Sequence, residues 1–205
     1  MYRDILSKEQ KELLPLIRQF KREFYLVGGT AIALQIGHRR SIDFDLFKMS
    51  KLNASKTIKK MDTAKFSYIV TRRVSEQINM VMNAVKITFY QYPYAIEANV
   101  DFENNLRMPD LLTLAAMKAY ALGRRAKWKD YIDLYFLLRD FYTLDQITQK
   151  ADKLFGQMFI GKLFRSQLAF HKDIDYSEPV EYMPGFEVAE QDIKNFLIDK
   201  SLQEI

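Results

Sequence analysis

Asp43 and Asp45 stand two residues apart in Arg39-Arg40-Ser41-Ile42-Asp43-Phe44-Asp45-Leu46-Phe47, and Gly28-Gly29-Thr30 lies 14 residues upstream. Ile42, Phe44 and Leu46 alternate with Asp43, Asp45 and Phe47, which is the pattern of a strand from Ser41 to Phe47. Residues i and i+2 of a strand share a side, so both carboxylates project from one surface. Adjacent carboxylates repel unless a cation lies between them. Magnesium is held in this way, by one or two carboxylates plus substrate phosphates, and manganese suits the same oxygens. An Asp-x-Asp alone can equally be the polar edge of a half-buried strand. The glycine pair changes that balance. Phe24-Tyr25-Leu26-Val27 is a short apolar run ending at Gly28-Gly29, a buried strand followed by a tight turn. Glycines permit close backbone approach, and a helix opening there presents free N–H groups that suit phosphate. Together these parts can manage a triphosphate: Gly28, Gly29 and Thr30 on the phosphates, a divalent cation on Asp43 and Asp45, and Arg39, Arg40 and Ser41 within reach of phosphate. His38 completes a polar turn.

The elements that must carry these residues are an α/β core over 1–105 followed by a helical half over 106–205. Ser7 to Phe20 has Leu13, Leu14, Ile17 and Phe20 at helical spacing, weakened by Pro15. Thr30 to Ile36 is a short helix closed by Gly37, and a basic segment with Lys51, Lys56, Lys59 and Lys60 reads as another. Strand-like runs cover residues 66–74, 84–90 and 95–102. From Pro109 the texture is helical: Leu111 to Leu122, then Lys129 to Phe141, then two or three more helices with a gap near Pro179 and Pro184. The stretch from Asn104 to Arg107 is the expected join. The fold class is α+β, a small mixed sheet flanked by helices with a helical second half.

That second half has a polar constellation of its own. Between Lys118 and Lys129 there are five basic residues, Lys118, Arg124, Arg125, Lys127 and Lys129, and no acid. Lys118 has Leu114 and Met117 beside it on a helix, so its stem can pack while its ammonium reaches a phosphate. Asp130 and Asp133 share a helix face at i, i+3. They can orient Lys118, bind metal or nucleotide through water, or cap and salt-bridge the helix start. Arg124, Arg125, Lys127 and Lys129 are the candidate RNA contacts. Trp128 could stack on a base, but an aromatic anchoring two helices is the simpler reading, and Phe89, Tyr90, Tyr92 and Tyr94 read as strand and core aromatics.

Composition narrows the alternatives. The chain has 205 residues, no Cys and two His, which excludes disulfide scaffolds, zinc–thiolate sites and cysteine nucleophiles. No apolar run approaches a membrane span, and the charged N-terminus is unlike a secretory signal. The expected setting is therefore cytoplasmic, without a membrane partner. Residues 1–105 carry 17 basic and 11 acidic groups, whereas Asp173 to Ile205 carries nine acidic and two basic. A basic first half suits a polyanion such as an NTP or RNA, although on charge alone ordinary surface charge is the simpler reading. A solvated helical face is the simplest expectation for the acidic tail.

Gly-Gly-Thr followed by Arg-x-Ser-x-Asp-x-Asp-Leu-Phe resembles the nucleotidyltransferase superfamily. Asp110-Leu111-Leu112, Ala115-Ala116-Met117-Lys118 and the run from Lys127 to Leu138 narrow the resemblance to the AbiEii/AbiGii toxin-like nucleotidyltransferases, over about residues 24–140. The resemblance implies Mg2+ or Mn2+ on Asp43 and Asp45, with Lys118, Asp130 and Asp133 completing a catalytic set. It implies transfer of a nucleoside monophosphate from an NTP to an acceptor hydroxyl, with release of pyrophosphate. The acceptor it suggests is RNA, a tRNA 3′ end, and the setting a toxin with a cognate antitoxin. A small-molecule or protein hydroxyl is the alternative acceptor, and an inactive nucleotide- or RNA-binding module the alternative class. One departure concerns a third carboxylate that many such enzymes carry on a later strand. Thr88 stands at that place, with Asp101, and less readily Glu97, as substitutes.

Overall fold

The computed structural model describes residues 1–203. It divides into two compact units, Met1–Asp110 and the remainder from Leu111. Among the described residues the first unit holds a seven-stranded mixed sheet and three α-helices, and the second holds five α-helices.

In the first unit, α1 (Lys8–Ile17) is started by a capping box, in which Ser7 and Gln10 exchange side-chain and backbone hydrogen bonds. It buries Leu13, Leu14, Leu16 and Ile17 and passes into a 3-10 turn, Arg18–Phe20. Then follow β1 (Tyr25–Val27), α2 (Gly28–Ile36), β2 (Phe44–Lys48), α3 (Ala54–Met61), β3 (Tyr68–Arg73), β4 (Gln77–Met82), β5 (Val85–Gln91), β6 (Val100–Phe102) and β7 (Leu106–Met108). The strand order across the sheet is β3-β4-β5-β2-β1-β7-β6. β2 lies between β1, antiparallel to it, and β5, parallel to it.

One face of the sheet is apolar. Leu26, Phe44, Leu46, Ile78, Met80, Ile87 and Phe89 are wholly buried on it. Phe20 and Phe24 pack on Phe89 with ring centroids 4.7 and 5.3 Å apart. The alternation BiBiB along β2 places Asp45 and Phe47 on the other face.

The sheet departs from the sequence expectations in three places. β2 starts at Phe44, so Asp43 sits one residue ahead of it. β4 was not anticipated, although Ile78, Met80 and Met82 alternate cleanly on the buried side. β7 pairs with both β1 and β6, so the first unit runs on to Asp110 rather than ending near Asn104.

The second unit consists of α4 (Leu111–Leu122), α5 (Trp128–Asp140), α6 (Leu144–Phe155), α7 (Gly161–Ala169) and α8 (Glu190–Leu202). α5 is its core element, with Tyr131, Ile132, Leu134, Phe136 and Leu137 all fully buried. A helix apolar on nearly every side must be surrounded by others. Among the described residues, no helix is long and apolar enough to cross a membrane.

Candidate active site

β1 ends at Val27, and the chain turns straight into α2 with Gly28 at φ +72°. Only glycine takes that left-handed conformation without strain. The turn is also tight in space. A Cβ on Gly28 would overlap the Asp45 carboxylate, and one on Gly29 would meet the Arg39 guanidinium at 2.5 Å and Ser41 Oγ at 3.1 Å. The two glycines therefore let the α2 N-terminus sit directly against Asp45. Val27 and Asp45 are register partners in β1 and β2, which fixes that approach. The first N–H groups of a helix lack intrahelical partners. The geometry thus unites an anion-attracting helix end and a carboxylate pair within one β-α-β segment.

The hydroxyls nearby look inward. Thr30 is 2% exposed, and its Oγ1 donates to the Asp43 carbonyl at 2.5 Å while lying 3.0 Å from Ser41 Oγ. The Ser41 carbonyl accepts from Gln10 Nε2 at 2.9 Å. The Thr30 hydroxyl and the Ser41 carbonyl thus tie the segment just ahead of β2 to α2 and α1. Arg39 is 1% exposed and donates to the Arg40 carbonyl at 2.9 Å, backing the glycine turn from inside. Arg40 donates to the Asp4 carbonyl at 2.9 Å and lines an open hollow of about 690 Å³ with Lys8 and Lys11. His38, expected in a polar turn, is completely buried.

Thr88 on β5 is the direct register partner of Asp45, and Asn79 on β4 is the partner of Thr88. The position beside Asp45 is therefore filled by a hydroxyl. Asp101 does not substitute for it. It lies on edge strand β6, three places from β2 in the sheet order, and its carboxylate accepts from the Asn104 N–H at 2.8 Å. Glu97 is exposed in the connection from β5 to β6. Among the described residues no group of three or more His, Cys, Asp or Glu forms a metal-binding cluster. Asp43 and Asp45, the residues expected to bind the cation, are two oxygen donors, a set that fits Mg2+ or Mn2+ completed by water and phosphate oxygens.

In the second unit α4 and α5 bring Lys118, Asp130 and Asp133 together as expected. Lys118 Nζ lies 2.7 Å from Asp130 Oδ1 and 2.9 Å from Asp133 Oδ2, and all three side chains are at most 5% exposed. Arg125 Nε reaches Asp130 Oδ2 at 2.9 Å. Two cations and two anions balance, which is how buried charge is tolerated. Burial pushes the Asp130 carboxyl up, but Lys118 and Arg125 outweigh it and hold the group below its ordinary value. Of the readings open for Asp130 and Asp133, orientation of Lys118 is the one this geometry supports.

The other basic residues of this stretch are also engaged. Arg124 stacks on the Tyr120 ring at 4.2 Å and bonds its hydroxyl at 2.6 Å. Glu178 pairs with both Lys127 and Lys129. The acidic tail therefore does more than present a solvated face. Its Asp175 backbone bonds Ala126 and Trp128, strapping the segment across the start of α5. Trp128, 8% exposed, stacks on Tyr131 and lies against Tyr176, so it anchors the unit. Tyr90 is a strand aromatic on β5, half-exposed on the Asp45 face with Phe47, whereas Phe89 is in the core.

Comparison with known proteins gives three findings. Residues 61–203 match the family model described as nucleotidyl transferase AbiEii toxin, type IV TA system. An uncharacterized protein of Aquifex aeolicus strain VF5 is 27% identical over 201 residues, covering 92% of this chain and 86% of its own. Among solved structures, the nucleotidyltransferase toxin MenT4 of Mycobacterium tuberculosis H37Rv superposes with a TM-score of 0.67 at 15% identity, over 94% of this chain and 80% of that one. JHP933 of Helicobacter pylori superposes with a TM-score of 0.57 at 16% identity, over 96% and 91%. At such identities the two structures speak for the fold. The family match starts beyond the Gly28–Asp45 segment, whose reading rests on its own geometry.

Proposed function

Since this chain belongs to the nucleotidyl transferase AbiEii toxin family of type IV toxin–antitoxin systems, we propose that it moves a nucleoside monophosphate from an NTP to an RNA hydroxyl, a tRNA 3′ end, in a reaction dependent on magnesium or manganese. Nucleotidyl transfer and the toxin–antitoxin setting come with the family. The acceptor and the metal are the finer part of the reading. The observation that carries it is the Gly28 turn, which seats the α2 N-terminus against Asp45 with Asp43 two residues away.

In this reading the N–H groups opening α2 hold the triphosphate. Asp43 and Asp45 would hold the cation, which would neutralise charge on the phosphates and favour loss of the acceptor proton. The acceptor oxygen bonds to the α-phosphorus, the bond from that phosphorus to the bridging oxygen breaks, and pyrophosphate leaves with it. The acceptor proton passes to a carboxylate of the pair. Most of the catalysis is positioning and charge stabilisation, as phosphoryl transfer requires. The Thr30 hydroxyl holds the Asp43 backbone in place.

The test of the acceptor is transfer of label from each α-labelled NTP into total cellular RNA, resolved by size. Label in the tRNA fraction with one nucleotide is expected. Label appearing only in a small molecule or in protein would overturn the RNA acceptor.

The positioning role has its own readout. Thr30→Val keeps the shape and removes the donor to the Asp43 carbonyl. It is expected to lower kcat by about 10-fold with little change in the KM for NTP, and Thr30→Ser is expected to restore kcat. An unchanged kcat in Thr30→Val would show that Asp43 is held by other means.

A further inference from the structure

The sheet face that bears Asp45 continues away from it across three more strands. Register pairing links Asp45 on β2 to Thr88 on β5, Thr88 to Asn79 on β4, and Asn79 to Arg72 on β3. Partners in a ladder share a face, so these four side chains form one row. At about 4.8 Å per strand the row spans about 14 Å. The neighbouring row runs from Lys86 to Val81 to Ile69. Asp43 and Lys86 each stand one residue before the paired Phe44 and Ile87. Lys86, Arg72, Val81 and Ile69 are exposed, while Asn79 and Gln77 are half-exposed.

Two features of this face are chemical. Apart from Asp45 with its neighbour Asp43, its strands carry no acid, and Lys86 and Arg72 are basic. Glu76 in the β3–β4 turn is exposed, its carboxyl held low first by the Ser75 hydroxyl and least by Arg72. On the other side of Asp45 are aromatic rings. Phe47 is two residues on and pairs with Tyr90 across the strands. Ring centroids are 5.1 Å apart for Phe47–Tyr90, 5.1 Å for Phe47–Tyr92 and 5.2 Å for Tyr92–Tyr94. Phe47, Tyr90 and Tyr94 keep part of their surface exposed.

We propose that this face of β2, β5, β4 and β3 receives the acceptor as a single strand of RNA, with unstacked bases on the Phe47–Tyr90–Tyr94 cluster and phosphates on Lys86 and Arg72. The inference rests on the RNA-acceptor reading and says where and in what form the RNA binds. Aromatic faces are open to bases that are not already stacked in a duplex. Two cations on β5 and β3, about 10 Å apart across the sheet, suit a polyanionic chain better than a small acceptor. The aromatic cluster and Lys86 adjoin the Asp43–Asp45 pair, where the terminal hydroxyl must arrive, and Arg72 lies farther across the sheet. Arg125, Lys127 and Lys129, by contrast, would each have to give up a carboxylate partner to take a phosphate.

The experiment is fluorescence anisotropy of a labelled single-stranded oligoribonucleotide of about 12 nucleotides with the full chain, over a range of salt. The double charge reversal Arg72→Glu/Lys86→Glu alters exposed side chains, and a melting curve like that of the wild type establishes that it folds. It is expected to weaken binding at least about 10-fold and to flatten the salt slope by about 1.4, two phosphate contacts at about 0.7 each. Tyr90→Leu removes the ring and keeps apolar bulk. It is expected to weaken binding by about 5-fold or more without flattening the slope. Wild-type affinity in both folded variants, or equal affinity of the wild type for the same sequence as a duplex, would overturn the placement while leaving the RNA-acceptor reading intact. A wild-type chain that binds NTP but no RNA in any form would overturn both.

Discussion

Replacing Lys118 with Met is expected to cost about 3–5 kcal/mol of stability, read as a shift in the urea midpoint. The substitution keeps most of the length of the side chain and removes the ammonium that Asp130 and Asp133 share at 2.7 and 2.9 Å. Asp133 is wholly buried and Asp130 is 2% exposed, so water cannot take the place of the lost cation. The triple variant Lys118→Met/Asp130→Asn/Asp133→Asn removes the charges together and is expected to recover part of the loss, because isolated charge is what the interior penalises. The pH dependence has a definite sign. A carboxyl held low in the folded state contributes stability above its unfolded value, and that contribution fades as the pH falls through the folded one. Lys118 is one of the two cations holding Asp130 low. The stability that Asp130 contributes in the wild type is therefore expected to fade below about pH 4. A variant as stable as the wild type at neutral pH would mean that the cluster is not a buried one.

Gly28→Ala is expected to lower the rate of nucleotidyl transfer by about 100-fold, the scale of a misplacement of about 1 Å in a reacting site. Two independent effects add here. The φ of +72° disfavours any side chain, at about 1–3 kcal/mol, and the new Cβ would displace the Asp45 carboxylate. Gly29→Ala is the informative comparison. Its backbone is not left-handed, and its Cβ meets the end of the Arg39 side chain and Ser41 Oγ rather than Asp45. The expected order of steady-state kcat is wild type, then Gly29→Ala, then Gly28→Ala. Equal losses in the two variants would remove the special role given to the Asp45 contact.

Much of this site was legible because its parts are close in the chain. The apolar run before Gly28-Gly29, the helix closed by Gly37 and the alternation around Asp45 are local patterns, and β1, α2 and β2 follow from them. Lys118, Asp130 and Asp133 were also readable, since 12 and 15 residues separate them on two helices joined by a short turn. What the sequence hides is long-range. β2 pairs in parallel with β5 some 40 residues later, and no local pattern states that order. The juxtaposition of Asp45 with Thr88 and Asn79, and the exclusion of Asp101 to an edge strand, appear only with the sheet. Glu178 neutralises a basic stretch about 50 residues before it, so Lys127 and Lys129 read as open cations when only neighbours are considered. Hydroxyl direction is hidden as well. Thr30 has the type expected of a phosphate ligand, but tertiary packing turns its hydroxyl onto the Asp43 carbonyl.

Whether the Asp43–Asp45 pair and the Gly28 turn form a nucleotidyl-transfer site is decided by following pyrophosphate release and incorporation of α-label into RNA together, with magnesium present, for wild type and for Asp43→Asn/Asp45→Asn. The wild type is expected to release one pyrophosphate for each nucleotide incorporated. The folded variant is expected to be slower by a factor on the order of 1,000 in both measures. A folded variant that incorporates label as fast as the wild type would contradict the account.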